Sequence, residues 1–399
     1  MEKTELNIFA LGALGMGLSG SDRIFIEFVR RWCKNSNVNI YVWTEGREMC
    51  RRQDLENKNI LFRVSSMKPW KNFGFIINYF ARIIEGARLG LTIKIKNSQY
   101  SILYSASDFW MDAIPCLFLK LRFPRAKWAA TWYQTAPNPI KGFAEGDRGE
   151  KYRFSALLYW LSQLPIKPLI VNFADFVLVN NEDEKKQFPE LNKKGKTIVV
   201  LGAVDLSKIG KWKKENGKLT KIYDAVFQGR LHPQKGVIEL IDIWKKVVDK
   251  RPDAKLAMIG DGPLMEKVKI KIKKLKLGKN VELLGYVFDG DVKYQTFSQS
   301  KIVVHPALYD SGGMASAEAM AFGLPCIGFD LKSYESYYPK GMVKIKIGDL
   351  SAFSAEIVKL LSDKIYRERL GREALVMIEK SWSWDTRASE ILEYVKKHD

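Results

Sequence analysis

The chain has 399 residues, a 46% hydrophobic share and a formal net charge of +20. That length calls for two domains of ordinary size, and that hydrophobic share supports packed cores and excludes a disordered chain. Only 3 histidines, with 4 scattered cysteines and no C-x-x-C pair, argue against a multi-histidine metal site or a structural zinc and fit a reducing compartment.

The start, Met1 to Glu5, is short and acidic before the first apolar run, so no secretory signal is expected. No apolar run is expected to reach the ~18–20 residues of a spanning helix. The positive charge is widely spread, and no zinc-finger, RNA-recognition or helix-turn-helix pattern accompanies it. An anionic membrane surface is therefore preferred over nucleic acid as the reason for it.

Leu6 to Leu11 reads as a first strand, followed by a glycine-rich loop from Gly12 to Asp22 and a helix to about Lys34. Ile24, Phe28, Val29 and Trp32 form the apolar face of that helix. Gly15, Gly17 and Gly20 have G-x-G-x-x-G spacing, and Glu45 ends the next strand, Asn39 to Thr44, about where a dinucleotide enzyme keeps its ribose acid. Residues 58–96 carry Lys58, Arg63, Lys68, Lys71, Arg82, Arg88, Lys94 and Lys96 against Glu85 alone, interleaved with aromatic and aliphatic residues such as Trp70, Ile76, Ile77, Phe80 and Ile84. Two readings stay open: a face that lies in a lipid headgroup layer, or a helix with its apolar side in the core and its bases in water. A second apolar stretch, Phe154 to Val179, is broken by Pro165 and Pro168, too interrupted to span a bilayer but able to dip into one.

Tyr100 to Tyr104 is a strand followed by Ser105-Ala106-Ser107-Asp108; Ala129 to Tyr133 ends the next. Ala174 to Asn180 is a buried strand and Thr197 to Asp205 closes the first domain; the lysine-rich Leu206 to Thr220, with Gly210 and Gly217, reads as the linker. The second half opens with a strand, Tyr223 to Gln228, running into Gly229-Arg230, a proline turn, Lys235-Gly236 and a helix from Val237. Two cations five residues apart on one strand-to-helix loop either converge on a diphosphate or are surface charges of a turn. Leu256 to Ile259 is a strand ending in the turn Gly260-Asp261-Gly262-Pro263; Leu264 to Lys279 is a helix with a solvated lysine face, ended by Gly278; Val281 to Val287 is the next strand.

The most informative stretch runs from His305 to Pro325. A buried strand, Ile302-Val303-Val304, leads into a loop with Asp310 at its mouth, Ser311, the pair Gly312-Gly313, and then a helix of small residues closed by Gly323. Free N–H groups at a glycine-rich helix start make an anion site. The two carboxylates, Asp310 and Glu318, would repel a bare phosphate but suit a ligand that also offers hydroxyls, since an ionised carboxylate only accepts. The pattern points to a bound sugar phosphate.

These residues resemble the donor-site signature of glycosyltransferase family 4, retaining enzymes of the GT-B fold, in which two acidic residues flank a glycine turn and an EAMA-like helix start. Here the first acid is Asp310, where the family usually has Glu. The resemblance implies an α/β chain of two Rossmann-like domains facing across a cleft. They are expected at 1–205 on the acceptor side and 206–382 on the donor side, with a helix at 383–399 crossing back to the first. It implies that Arg230, Lys235 and the helix start near Met314 and Ala315 stabilise the leaving diphosphate. Glu318 would hold the ribose, Asp310 with Ser311, Gly312 and Gly313 the donor sugar, and Gly229, Gly260, Tyr286 and Val287 the nucleotide. Ser19-Gly20-Ser21 matches the family's first glycine loop, an alternative to the dinucleotide fingerprint. Where many members keep a histidine near the reaction centre, this chain has Asp108 and Tyr133; Asp108 is the candidate acceptor-side base, and the loop from Gln134 to Arg153 is expected near the acceptor. No cofactor and no metal are expected. The implied partners are a UDP- or GDP-linked sugar and an acceptor glycan or lipid-linked sugar, at a cytoplasmic site on or near a membrane. An NAD-linked oxidoreductase using Gly15, Gly17, Gly20 and Glu45, and a non-catalytic nucleotide-sugar or nucleic-acid binder, remain the alternatives.

Overall fold

The computed structural model describes residues 4–13, 17–66, 73–143 and 151–398, apart from the side chain of Phe75. Gly15 of the first glycine loop and Lys68, Trp70 and Lys71 of the basic stretch lie outside the described residues. The chain divides into two compact units, one of residues 1–136, 157–200 and 384–399, the other of 137–156 and 201–383.

The first unit is built on a parallel sheet of β1 (Glu5–Phe9), β2 (Asn37–Trp43), β3 (Ile60–Ser65), β4 (Ser101–Ser105), β5 (Lys127–Trp132), β6 (Phe176–Val179) and β7 (Thr197–Val199), in the order β3-β2-β1-β4-β5-β6-β7. The second holds β8 (Tyr223–Gln228), β9 (Leu256–Ile259), β10 (Val281–Gly285), β11 (Ser300–His305), β12 (Cys326–Phe329) and β13 (Met342–Ile345), in the order β10-β9-β8-β11-β12-β13. Helices cover both faces of such sheets, so central strands such as Phe176–Val179 and Leu256–Ile259 are apolar throughout and wholly buried. Each order reverses once, between β1 and β4 and between β8 and β11. Crevices at the carboxyl ends of strands flanking such reversals are where open α/β sheets bind ligands. Every loop singled out in the second half leaves from that end.

The C-terminal helix, Trp384–Lys397, belongs to the first unit and packs on the helix Gly20–Trp32. Trp32 Nε1 donates to the Ala388 carbonyl at 2.7 Å, Arg31 pairs with Asp385 at 3.0 Å, and Phe28 meets Trp384 edge-on.

Several elements depart from the sequence reading. The lysine-rich "linker" is a helix, Leu206–Asn216, capped by Asp205 and anchored by buried Ile209 and Trp212, three residues apart on one face. Thr197 to Asp205 contributes only Thr197–Val199 to the sheet, and Glu45 lies in the first turn of the helix Thr44–Arg52 rather than at a strand end. In the helix Met265–Lys274, Val268 and Ile272 are buried while Ile270 is exposed, so helical rather than alternating periodicity won; its end is marked by Lys276 at φ 57°, not by Gly278. Arg153–Phe173, 21 residues with mean hydropathy 1.2, is long and apolar enough to cross a membrane by length and composition, contrary to expectation. It forms two helices, Arg153–Gln163 and Ile166–Phe173, divided at Leu164 and Pro165.

Candidate functional site

In the second unit the loops after β8 and β11 are stitched together by the backbone. The N–H groups of Leu308 and Tyr309 donate to the Gln234 carbonyl at 2.8 and 3.2 Å. Gly236 makes this possible: its φ is +63°, and a Cβ there would stand 1.9 Å from the Pro306 carbonyl oxygen. Gly313, at φ +67°, turns the chain into the helix Met314–Met320.

These constraints bring Lys235 to Asp310. Lys235 Nζ donates to Asp310 Oδ2 at 2.5 Å, and His305 Nε2 and the Tyr334 hydroxyl lie 3.2 Å from the same oxygen. Ser333 donates to the Asp310 carbonyl, and the Gly312 N–H approaches Oδ1. Burial by itself would raise the Asp310 carboxyl, but the Lys235 ammonium and His305 hold it well below the usual carboxylate range. Burial pushes the His305 imidazole below its ordinary value, so it is neutral; facing an ionised carboxylate, its Nε2 carries the proton and donates. Nδ1 of His305 is buried with no partner among the described residues. Asp310 is thus an anchor for the cation as much as a group aimed at a ligand. His305 and Tyr334 were not foreseen as its partners; Tyr334 is 24 residues away in sequence.

Glu318 lies one turn into the helix Met314–Met320. Its Oε2 accepts from Gln228 Nε2, at the end of β8, at 3.0 Å and from Lys293 Nζ at 2.5 Å. Sequence reasoning missed Lys293, which belongs to the helix Asp291–Ser298 and is 1% exposed. The one available signal was its helical spacing from Thr296 and Phe297, which puts a lysine at a core position. Arg230 is exposed at the mouth of the loop after β8. Gly229 donates to the Ile259 carbonyl and Gly260 to that of Gly285, which holds the ends of β8, β9 and β10 level. Tyr286 is exposed and meets Phe288 edge-on; Val287 and Met314 pack against the same buried cluster. Ser311 is buried and Ala315 half-buried. The structure therefore brings Lys235, Asp310, Ser311, Gly312, Gly313 and Glu318 to the carboxyl end of one sheet, beyond its two middle strands.

Residues 137–143 and 151–156, between β5 and β6 in sequence, cluster with the second unit. Phe143 packs edge-on against His232 and Tyr309, on the two loops that carry Lys235 and Asp310. Residues 144–150 of the loop expected near the acceptor lie outside the described residues.

In the first unit the loops after β1 and β4 meet at the other reversal. Asp112 accepts from the Gly12 N–H at 2.9 Å and from the Ser107 hydroxyl at 2.5 Å, and burial lifts its carboxyl to about 7. Arg82, read from sequence as one of a basic run, is buried and donates to the Leu11 and Ala13 carbonyls. Asp108 accepts from Gln163 Nε2, and burial lifts it to about 6. It does not cap the following helix, whose N-cap is Phe109. The Tyr133 and Tyr104 hydroxyls are 2.8 Å apart. Ser19 caps the helix Gly20–Trp32 in a reciprocal box with Asp22, with the Ser21 hydroxyl 3.0 Å from that of Ser19. Among the described residues no group of three His, Cys, Asp or Glu side chains is placed to hold a metal ion.

Residues 208–376 match the model of the family "Glycosyl transferases group 1". An uncharacterized glycosyltransferase of Methanocaldococcus jannaschii is 30% identical over 208 residues, 49% of this chain and 47% of that protein. A GDP-mannose-dependent monoacylated phosphatidylinositol monomannoside mannosyltransferase of Corynebacterium glutamicum is 29% identical over 166 residues, 39% of this chain and 42% of that one. The chain thus spans about half the length of the curated relatives it matches. The crystal structure of HepE from Anabaena in complex with UDP-glucose superposes with a TM-score of 0.71 at 14% identity, over 98% of this chain and 99% of that one. The fold is GT-B, two Rossmann-like α/β domains with parallel sheets.

Proposed function

We propose that the chain is a retaining glycosyltransferase of the family 4 type. It moves a hexose from a UDP- or GDP-linked sugar to a hydroxyl of a lipid-linked or membrane-proximal glycan. The observation that carries this reading is the Lys235–Asp310 ion pair between the loops after β8 and β11, with Glu318 held by Gln228 at the end of β8, inside the segment that matches the family model.

In this reading Glu318 accepts from the ribose hydroxyls, and Arg230, Lys235 and the N–H groups at Met314 and Ala315 face the diphosphate. The C1–O bond to the diphosphate breaks, the acceptor oxygen bonds to C1 on the same face, and the acceptor proton passes to the departing phosphate oxygen. Charge grows on the diphosphate as the bond breaks. Fixed cations there lower the barrier, because they need not reorganise at that moment. Asp310 keeps Lys235 in place and, with Gly312 and Gly313, orients the sugar. Asp108, whose carboxyl burial lifts to about 6, is the acceptor-side base of this reading. No metal or organic cofactor has a part in this scheme.

Membrane contact is supported by two exposed stripes. On the helix Gly74–Thr92, Ile76, Ile77, Phe80 and Ile84 are exposed; on Arg153–Gln163, Phe154, Leu157, Leu158 and Leu161 are. Both have the i, i+3, i+4 spacing of one helical face. Residues 151–174 contain Lys151, Arg153 and Lys167 and no acid. Apolar stripes with basic neighbours suit the headgroup layer of an anionic bilayer at the cytoplasmic face.

The test is a thermal-shift panel of UDP, GDP, ADP, their sugars and NADH, with Glu318→Ala alongside. Stabilisation by one nucleotide family, about 2.7 kcal/mol at a hundredfold excess over Kd, and its loss in the variant support the reading. A shift with NADH alone, or none, refutes it. The anomeric configuration of the product, read by NMR, decides retention.

A further inference from the structure

Glu318 enters the site from a buried ionic cluster that sugar transfer does not by itself require. Lys293 is 2% exposed in its side chain, with Nζ 2.6 Å from Asp289 Oδ1 and 2.5 Å from Glu318 Oε2. Asp289 is four residues before Lys293, so that pair is local to the helix start. Glu318 is 25 residues beyond it, on a different helix. An ammonium taken out of water at such a position is costly, and an apolar side chain of the same volume would give as stable a core or a better one. The cluster is therefore not explained by stability.

Its geometry suggests another role. Two donors land on the same oxygen, Oε2: Lys293 Nζ from the helix Asp291–Ser298 and Gln228 Nε2 from the end of β8. Two donors from two different elements fix both the direction of the carboxylate and its rotation about the last side-chain bond. A vicinal diol makes its best contacts with a carboxylate only when that plane is set. Asp289 in turn fixes the lysine. We infer that Lys293 is a positioning residue which, with Gln228, holds Glu318 in the orientation that accepts the ribose hydroxyls of the donor nucleotide. The inference rests on the donor-site reading above.

The experiment is calorimetric titration of the full chain with UDP and GDP and with their 2′,3′-dideoxy counterparts. The readout is the ratio of the two affinities, which a loss of stability alone does not change. The wild type is expected to prefer the ribonucleotide by about 10- to 100-fold, the range of hydrogen bonds to a charged group. Glu318→Gln should lose most of that preference. Lys293→Met should shrink it by about tenfold although Glu318 is intact, and Lys293→Arg should restore part of it. Should Lys293→Met fail to fold, the double variant Lys293→Met with Asp289→Leu removes the buried pair together and is read in the same way. A folded Lys293 variant that keeps the full ribose preference overturns the inference and leaves the donor site standing. A wild type that binds both nucleotide forms equally overturns the role of Glu318 and the inference with it. A wild type that binds no nucleotide overturns the proposed function as well.

Discussion

The ammonium of Lys235 lies 2.5 Å from Oδ2 of Asp310, although the two residues are 75 positions apart, on the loops after β8 and β11. The sequence suggests separate tasks for them, a phosphate cation and a sugar-orienting acid. In the folded chain they are one ion pair, with 15% and 7% of the side chains exposed. Removing one partner strands the other. Lys235→Met is expected to cost about 3–5 kcal/mol of stability and to abolish transfer. The double variant Lys235→Met with Asp310→Leu should recover most of the stability and none of the activity. Denaturant melts paired with a transfer assay check this; a double variant no more stable than the single one would contradict it.

Gly236 is expected to be intolerant of any side chain. At φ +63° an alanine costs about 1–2 kcal/mol from backbone conformation alone, and its Cβ meets the Pro306 carbonyl. Gly236→Ala should therefore loosen the contact between the two loops and lower donor affinity more than Gly210→Ala, whose site is open. Equal effects of the two substitutions on nucleotide affinity would show that the stitching does not matter.

The two units should respond to pH in opposite senses. Burial lifts the Asp112 carboxyl to about 7 and that of Asp108 to about 6, so the native state of the first unit holds protons that the unfolded chain releases. Their stabilisation is complete below about pH 4 and is lost as pH rises through about 6 and 7. Asp310 is held low, so its contribution is present above about pH 4 and is lost on acidification. Melts of the wild type between about pH 5 and pH 8 should show a falling component that Asp112→Asn flattens. A slope unchanged by that substitution would rule out Asp112 as its source.

The exposed stripe on Gly74–Thr92 should matter for lipid and not for the donor. Ile76 and Ile84 are 70% and 69% exposed, and each would gain about 1.5–3 kcal/mol on full burial. Replacing both by glutamate should abolish salt-sensitive flotation with anionic vesicles while nucleotide binding is unchanged. Flotation of the variant at the wild-type level would exclude this helix from the lipid contact.

Much of the fold was legible because its signals are local. Apolar runs bounded by glycine and proline marked most strands, and the spacing of Ile24, Phe28 and Trp32 marked a helix that does bury them. The errors came where composition hid periodicity. Leu206 to Thr220 reads as a linker for its lysines, although Ile209 and Trp212 suffice to anchor the helix Leu206–Asn216 within it. Arg82 reads as one cation of a basic run, although it is buried and donates to carbonyls of the loop after β1. A cation is recognised as buried only once its partners are known, and those partners lie 69 and 71 residues away.

By itself the sequence determined the two α/β halves, the loop that carries Asp310, Gly312 and Gly313 with the helix start before Glu318, and the chemistry those residue types can perform. These follow from properties of neighbouring residues: backbone freedom at glycine, the period of apolar side chains, and the kinds of donor and acceptor in one loop. Only the tertiary structure decided that Asp310 belongs to Lys235 and Glu318 to Lys293, and that Asp112 holds the Gly12 loop. Those are pairings across strands, set by sheet order and by which charges the fold removes from water together. Charge burial depends on distances that no local pattern encodes.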